Sequence, residues 1–277
     1  MIALAIMSAF EDFVNDPAGV LPDDAMNPDP QELDDSDLDD PALAYLEDAA
    51  LPDPDRGCIL AVIDDAIPFA HERLTLPGGV SRVAAFWAQD AAFAGGPGLD
   101  LPSGIELRGP AIGQLLQQVA AGALPGEDAI YRASGVLDFR RDSTPSTAYS
   151  DPHGAAVALL AAGFAPQDPA GRDHPLIAVN LPPRITEDSM GTLAPVSILA
   201  SILFIITRAR RLCRLVEARR GLSAGSVRLP VVINLSFGLT AGARDGSSLL
   251  ERFMDAVSAV AAADLGPVHF VLPTGNN

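Results

Sequence analysis

Short runs of continuous apolar residues recur along the chain and predict buried strands. Four of them are Cys58–Ile63, Leu176–Leu181, Val231–Leu235 and Val268–Leu272, and Val83–Trp87 predicts a further short strand. Apolar side chains at every position, rather than at alternate positions, are typical of parallel strands covered on both faces. The pattern therefore favours a parallel sheet at the centre of the fold.

Helical signals fill the segments between these runs. The predicted helices are Ile112–Ala121, Glu127–Ala133, Ala155–Ala162, Pro195–Arg220 and Leu249–Asp264. Asp151 and Pro152 suit the N-cap and the first helical position of the third helix. Ser248 and Glu251 match a capping box at the start of the last one. In the long helix, we expect the arginines from Arg208 onward to form a solvated C-terminal end.

Strands and helices thus alternate, which predicts an α/β fold: a doubly wound, mainly parallel sheet with helices on both faces. Ligands of such sheets bind at the carboxyl ends of the strands. Asp64, Ser236 and Asn276 each follow a predicted strand, and His153 begins a predicted helix. The topology alone therefore predicts that these four polar residues lie together at the carboxyl ends of the strands.

Charge divides the chain into two parts. Residues 1–55 hold 16 of the 36 acidic residues and no basic ones, so we expect a weakly ordered acidic leader. Residues 56–277 carry a net charge of only −2 and form the expected folded domain. This near balance argues against a nucleic-acid partner.

All 18 basic residues are arginine, so mechanisms that depend on a lysine are excluded. The first residues lack the basic segment of a secretory signal, and the apolar stretch Val196–Ile206 is too short to cross a bilayer. These features favour a cytoplasmic protein without a membrane partner. Cys58 and Cys213 are expected to be free thiols.

The edge residues suit acyl transfer. That reaction needs an imidazole base, a carboxylate that holds its tautomer, and donors for the oxyanion. Asp64 supplies the carboxylate, His153 the imidazole and Asn276 an amide donor. Because His153 lies in the first turn of a helix, we expect the helix dipole to disfavour its charged form.

Four segments, in order, resemble motifs of the subtilisin-like serine proteases. Ala61–Ile67 resembles the family's Asp motif, His153–Ala158 its His motif, Val232–Gly238 its substrate-cleft strand and Val271–Asn276 its oxyanion Asn motif. The resemblance spans roughly residues 57–277. It implies a subtilisin-like fold and an endopeptidase that acts on peptides or proteins without a cofactor or metal.

The resemblance also implies roles for individual residues. Asp64 would orient the imidazole, His153 would act as general base and then acid, and Asn276 would stabilise the oxyanion. The substrate cleft would be lined by Ser236, Phe237, Gly238, Thr274 and Gly275.

The chain departs from the family at several positions. Ala155 and Ala156 replace the Thr and second His of the His motif, and Ala66 replaces the Gly of the Asp motif, which tightens the turn after Asp64. Longer spacings imply inserted loops around residues 88–145 and 182–194. The 277 residues contain no G-T-S-x-A segment for the nucleophile. We therefore expect the Ser to lie on a missing C-terminal portion, and the chain alone to be inactive.

Other interpretations remain open. The second hypothesis is a degenerate subtilase that acts as a non-catalytic peptide-binding or regulatory module. A third and weaker one gives the acidic leader the role of a pro-segment or a localising segment. Asp64 and Asp65 also resemble the acidic pocket of a receiver domain, which requires a lysine that the chain lacks. The spacing of Asp53, Asp55 and Asp65 fits no calcium loop.

Overall fold

The computed structural model describes residues 44–91, 101, 103–138, 152–186, 194–236, 245–261 and 263–273. Within them the strands are β1 (Ile59–Asp64), β2 (Thr75–Leu76), β3 (Val80–Ser81), β4 (Val83–Ala88), β5 (Ile105–Arg108), β6 (Leu176–Asn180), β7 (Val231–Leu235) and β8 (Val268–Val271). The α-helices are α1 (Gly109–Ala120), α2 (Glu127–Ala133), α3 (His153–Ala162), α4 (Pro183–Thr186), α5 (Ala194–Arg220) and α6 (Leu249–Ala261).

Six of these strands form one sheet in the order β5-β4-β6-β1-β7-β8, and β2 and β3 form a separate antiparallel pair. Neighbouring strands of the large sheet run parallel, except that β5 is antiparallel to β4. The predicted mainly parallel α/β fold is confirmed. Strand β1 is central, with β6 on one side and β7 on the other, so Asp64 ends a strand at the middle of the sheet.

Helices cover both faces of this sheet, as predicted. Alternate side chains of β1 point to opposite sides: Ile59 and Ile63 belong to a core that also contains side chains of α5 and α6, whereas Val62 belongs to a second core with side chains of α1, α2 and α3. The continuous apolar runs are thus explained, because each face of the central strand meets its own layer of helices.

The predicted strands and helices named above are present, and their ends differ from the predicted ones by at most three residues. Ser248 and Glu251 form the predicted capping box: the Ser248 N–H donates to Oε2 of Glu251 at 3.0 Å, and the Glu251 N–H donates to Oγ of Ser248 at 3.2 Å. No helix within the described ranges is both long and apolar enough to cross a membrane.

The expectation that the arginines at the C-terminal end of α5 are exposed to solvent is wrong for most of them. Arg208 is only 1% exposed, and its guanidinium donates to both carboxylate oxygens of Glu106 on β5. Arg210 pairs with Asp264, and Arg211 donates to the hydroxyl of Tyr45. These side chains are covered because α5 packs against the sheet, the segment after α6 and residues ahead of β1.

The last part of the acidic leader packs against the domain. Tyr45, Leu46, Ala50 and Leu51 are each no more than 4% exposed and belong to the core beside α5. The ordered part of the chain therefore begins ahead of Arg56, where the sequence had placed the start of the folded domain. Burial of these apolar side chains stabilises the segment in spite of the acidic residues around it.

Candidate active site

Asp64 and His153, 89 residues apart in sequence, meet at the carboxyl edge of the sheet. Asp64 is the last residue of β1, and His153 is the first of α3. The Nδ1 atom of His153 lies 3.0 Å from Oδ1 of Asp64. The carboxylate side chain is 2% exposed and the imidazole 55% exposed. A buried acid thus supports a base that reaches the surface.

The hydrogen bond fixes the tautomer of the imidazole. A carboxylate only accepts hydrogen bonds, so Nδ1 carries the proton and donates it. The lone pair of a neutral ring then lies on Nε2, the nitrogen that is free to take a proton from another group. Oδ1 of Asp64 also accepts from the Asp65 N–H at 2.8 Å, which holds the carboxylate in place.

Both groups have a raised pKa. Burial raises the pKa of Asp64, opposed by the hydrogen bond from His153. The hydrogen bond to Asp64 raises the pKa of His153, and burial partly offsets it. The helix dipole that was expected to disfavour the charged ring therefore does not decide the direction of its pKa, because a carboxylate in direct contact outweighs the partial charge of a helix end.

The turn after Asp64 is tightly held. Ala66 has a φ of 41°, and it is the one non-glycine residue with positive φ among those described. Its place in the Asp motif is the one where the family carries Gly, the residue best suited to this conformation. Next to it, the Ile67 N–H donates to Oδ1 of Asn180 at 3.0 Å, and the Leu181 N–H donates to the Asp64 carbonyl at 2.8 Å.

Asn180 is a site residue that the sequence analysis missed. It ends β6, pairs in register with Asp64 and is 2% exposed. A polar residue closing an apolar strand was the available signal, and it is the same signal that singled out Asp64. Asn180 supports the turn that carries the carboxylate.

Gly154 allows α3 to approach this turn. A Cβ at position 154 would lie 1.7 Å from the carbonyl oxygen of Asp65, a distance that no side chain tolerates. The Gly154 N–H donates instead to Oδ1 of Asp65 at 3.0 Å. The predicted first helical residue, Pro152, occupies the N-cap and gives no side-chain cap. The predicted N-cap, Asp151, lies outside the described residues.

The other predicted site residues are placed only in part. Leu235, the last residue of β7, lies opposite Ile63 of β1 in the parallel register, and Ser236 comes directly after it. The Oγ atom of Ser236 accepts a hydrogen bond from the side-chain amide of Asn234 at 2.7 Å. It therefore lies at the same edge as Asp64. The remaining candidates lie outside the described residues: Phe237, Gly238, Thr274, Gly275 and Asn276.

Asp64, Asp65 and His153 also form a group whose possible ligand atoms lie within 4.8 Å of one another. Two atoms of this group are already engaged in hydrogen bonds, since Nδ1 of His153 donates to Asp64 and Oδ1 of Asp65 accepts from the Gly154 N–H. A metal bound through Nδ1 would have to replace its proton. The arrangement therefore suits proton transfer better than metal binding.

The sequence matches none of the protein-family models and none of the curated proteins with which it was compared. Among solved structures, the Clostridium perfringens CspB protease is similar to the chain, with a TM-score of 0.49 and 17% sequence identity. The match covers 80% of this chain and 36% of the CspB chain, so this chain spans about a third of that protein's length. A similarity this distant assigns neither an activity nor a role to any residue.

Proposed function

We propose that the chain supplies the acid and base of a subtilisin-like serine endopeptidase. The observation that carries the proposal is the 3.0 Å contact between the buried Asp64 carboxylate and Nδ1 of the exposed His153. A buried acid that orients an imidazole is the arrangement that activates a hydroxyl nucleophile in acyl transfer. The order of the four motifs supports the serine-protease form of this chemistry.

In this mechanism Nε2 of His153 takes the proton of a serine hydroxyl as the oxygen attacks a peptide carbonyl. Asp64 then stabilises the imidazolium through the Nδ1 hydrogen bond, and the ring afterwards gives its proton to the departing amine. The amide of Asn276 would donate to the oxyanion. Each step leaves Asp64 ionised.

The proposed mechanism also needs a serine nucleophile. These 277 residues contain no segment that matches the Ser motif, and we propose that the serine comes from sequence outside them. An extended peptide would bind along the segment that begins at Ser236, as in peptide recognition by strand addition.

A fluorophosphonate probe tests this proposal on the full-length product of the gene that encodes these residues. We expect covalent labelling of one serine, and loss of labelling by about a thousandfold or more in His153→Ala, because the base is removed. His174→Ala is the matched control, since His174 stacks on Phe164 away from Asp64. Labelling that is unaffected by His153→Ala would refute the base assignment.

A non-catalytic peptide-binding module is the second candidate. It is favoured by Ala155 and Ala156, which replace two residues of the family's His motif. The same experiment separates the two functions. A full-length protein that binds extended peptides but never reacts with the probe would support the binding module and exclude the endopeptidase.

A further inference from the structure

We propose that Asp65 is a positioning residue that fixes His153 against Asp64 by holding the first turn of α3. The inference rests on the proposed function only in naming His153 as the base. The hydrogen bonds on which it depends are independent of any nucleophile.

Two parallel hydrogen bonds join the turn after β1 to the start of α3. Asp65 lies next to Asp64, and Gly154 lies next to His153. One side-chain bond joins Asp64 to His153, and a second joins Oδ1 of Asp65 to the Gly154 N–H, each 3.0 Å long. Two adjacent residues of one segment thus hold two adjacent residues of another, which fixes both the distance and the orientation of the imidazole.

Helix α3 lacks a side-chain cap from its own N-cap residue. The first N–H groups of a helix have no partner inside the helix and need an outside acceptor. Pro152, the N-cap residue, provides no side-chain acceptor. Asp65 provides it from the β1 turn instead, so the cap of α3 and the location of the base depend on one carboxylate.

The charge of Asp65 also acts on His153. Among the described residues, the charged groups that act on the His153 ring are Asp64 and Asp65, and both raise its pKa. Asp65 therefore contributes in two separable ways: through the bond to Gly154 and through its negative charge. Replacement by Asn keeps an oxygen acceptor and removes the charge, whereas replacement by Ala removes both.

The test compares Asp65→Asn with Asp65→Ala by NMR in the full-length product of the gene that encodes these residues. The two measurements are the pKa of His153 and the hydrogen exchange of the Gly154 amide. In D65N we expect the pKa of His153 to fall, because one of two nearby negative charges is lost, while Gly154 exchange stays as in the wild type. In D65A we expect a further fall in that pKa and about fivefold faster Gly154 exchange, the loss that removal of a capping bond predicts.

Asp168→Asn is the matched control. Asp168 also accepts a backbone N–H, that of Ala170 at 2.9 Å, but it does not act on His153. This variant should leave the pKa of His153 unchanged. Equal pKa values in D65N and D65A would show that Asp65 acts by charge alone and would overturn the positioning role.

These outcomes are distinguishable from a failure of the proposed function. A His153 that depends on Asp65 while the full-length protein ignores the fluorophosphonate probe would keep the positioning role and reject the endopeptidase. If instead the full-length protein is labelled, and the pH profile of labelling is the same in D65N and D65A, the endopeptidase is kept and the positioning role is rejected. If D65A fails to fold, the wild type still tests the bond on which the inference depends. A Gly154 amide that exchanges in the wild type as fast as an unprotected amide would refute the inference, because Asp65 would then not hold it.

Discussion

At the scale of single residues, the geometry of the site depends on a glycine, Gly154, at the start of α3. Gly154 lets the first turn of α3 approach the backbone after Asp64, and its missing Cβ would meet the Asp65 carbonyl oxygen at 1.7 Å. Alanine is otherwise favoured over glycine in a helix by about 1 kcal/mol. Here the steric conflict outweighs that preference, because the obstructing atom belongs to the backbone.

Gly154→Ala should therefore destabilise the protein by about 2 kcal/mol or more, although it adds a better helix former. Chemical denaturation measures this loss, and the pKa of His153 should fall as α3 moves away from Asp64. Gly126→Ala is the control, since a Cβ there meets nothing within 4 Å, and we expect a cost of no more than about 1 kcal/mol for this N-cap position. Equal stability of the two variants would contradict the role given to Gly154.

At the scale of elements, a buried ion pair joins the longest helix to the edge of the sheet. Arg208 of α5 is 1% exposed and Glu106 of β5 is 5% exposed at their side chains. The guanidinium also lies 4.5 Å from the ring centre of Phe204, so the charge is enclosed by carboxylate and aromatic groups. Arg108, whose side chain is 19% exposed, also donates to Oε1 of Glu106 at 3.2 Å. Removal of Arg208 leaves the buried Glu106 with this more exposed partner, whereas removal of both Arg208 and Glu106 takes the charges out of the buried position.

Arg208→Met should lower the free energy of unfolding by about 3 kcal/mol or more, and the double variant Arg208→Met with Glu106→Met should recover most of it. Denaturant titration of the single and double variants measures both effects. Arg219→Met is the control, because its contact with Asp48 is long, at 3.8 Å, and exposed; we expect a change below about 1 kcal/mol. A double variant less stable than R208M would refute this account.

At the scale of the whole molecule, α3 presents an apolar outer surface. The helix carries no charged side chain apart from His153 when that residue is protonated. Its inner side, with Gly154, Ala158 and Ala162, is buried, and Leu160 on the outer side is 88% exposed. A helix that is apolar all round is typical of buried positions, so we expect the 277-residue chain to associate with itself.

Leu160→Gln should reduce this association without changing the free energy of unfolding by more than about 0.5 kcal/mol, because the side chain is already exposed. Light scattering across a concentration series measures the first effect and denaturation the second. Leu222→Gln, at a 42% exposed leucine beyond α5, is the control. A wild-type chain that stays monomeric at high concentration would contradict the prediction.

Much of the fold followed from local pattern. Continuous apolar runs predicted five strands of the large sheet, and β5 escaped detection because Glu106 and Arg108 interrupt its short apolar stretch. The errors arose where tertiary contacts override composition. Arg208 is buried because Glu106 pairs with it, and Tyr45 is buried although it lies in an acidic segment.

The candidate site divides in the same way. Asp64 and His153 were predicted from their places at a strand end and a helix start, and from the motifs around them. Asn180 and the capping role of Asp65 were not, since each acts through a backbone N–H that lies 113 or 89 residues away in sequence. Such partners are set by strand order, which no local pattern records.

The sequence by itself determined the α/β class, the buried strand that ends at Asp64 and the candidate acid and base, because periodicity, caps and motif order are local properties. Only the tertiary structure decided the 3.0 Å contact between them and the raised pKa of His153. It also decided that Gly154 approaches the turn after Asp64 and donates its N–H to Asp65. These features depend on the distance between two segments, and that distance exists only once the sheet and its helices have packed.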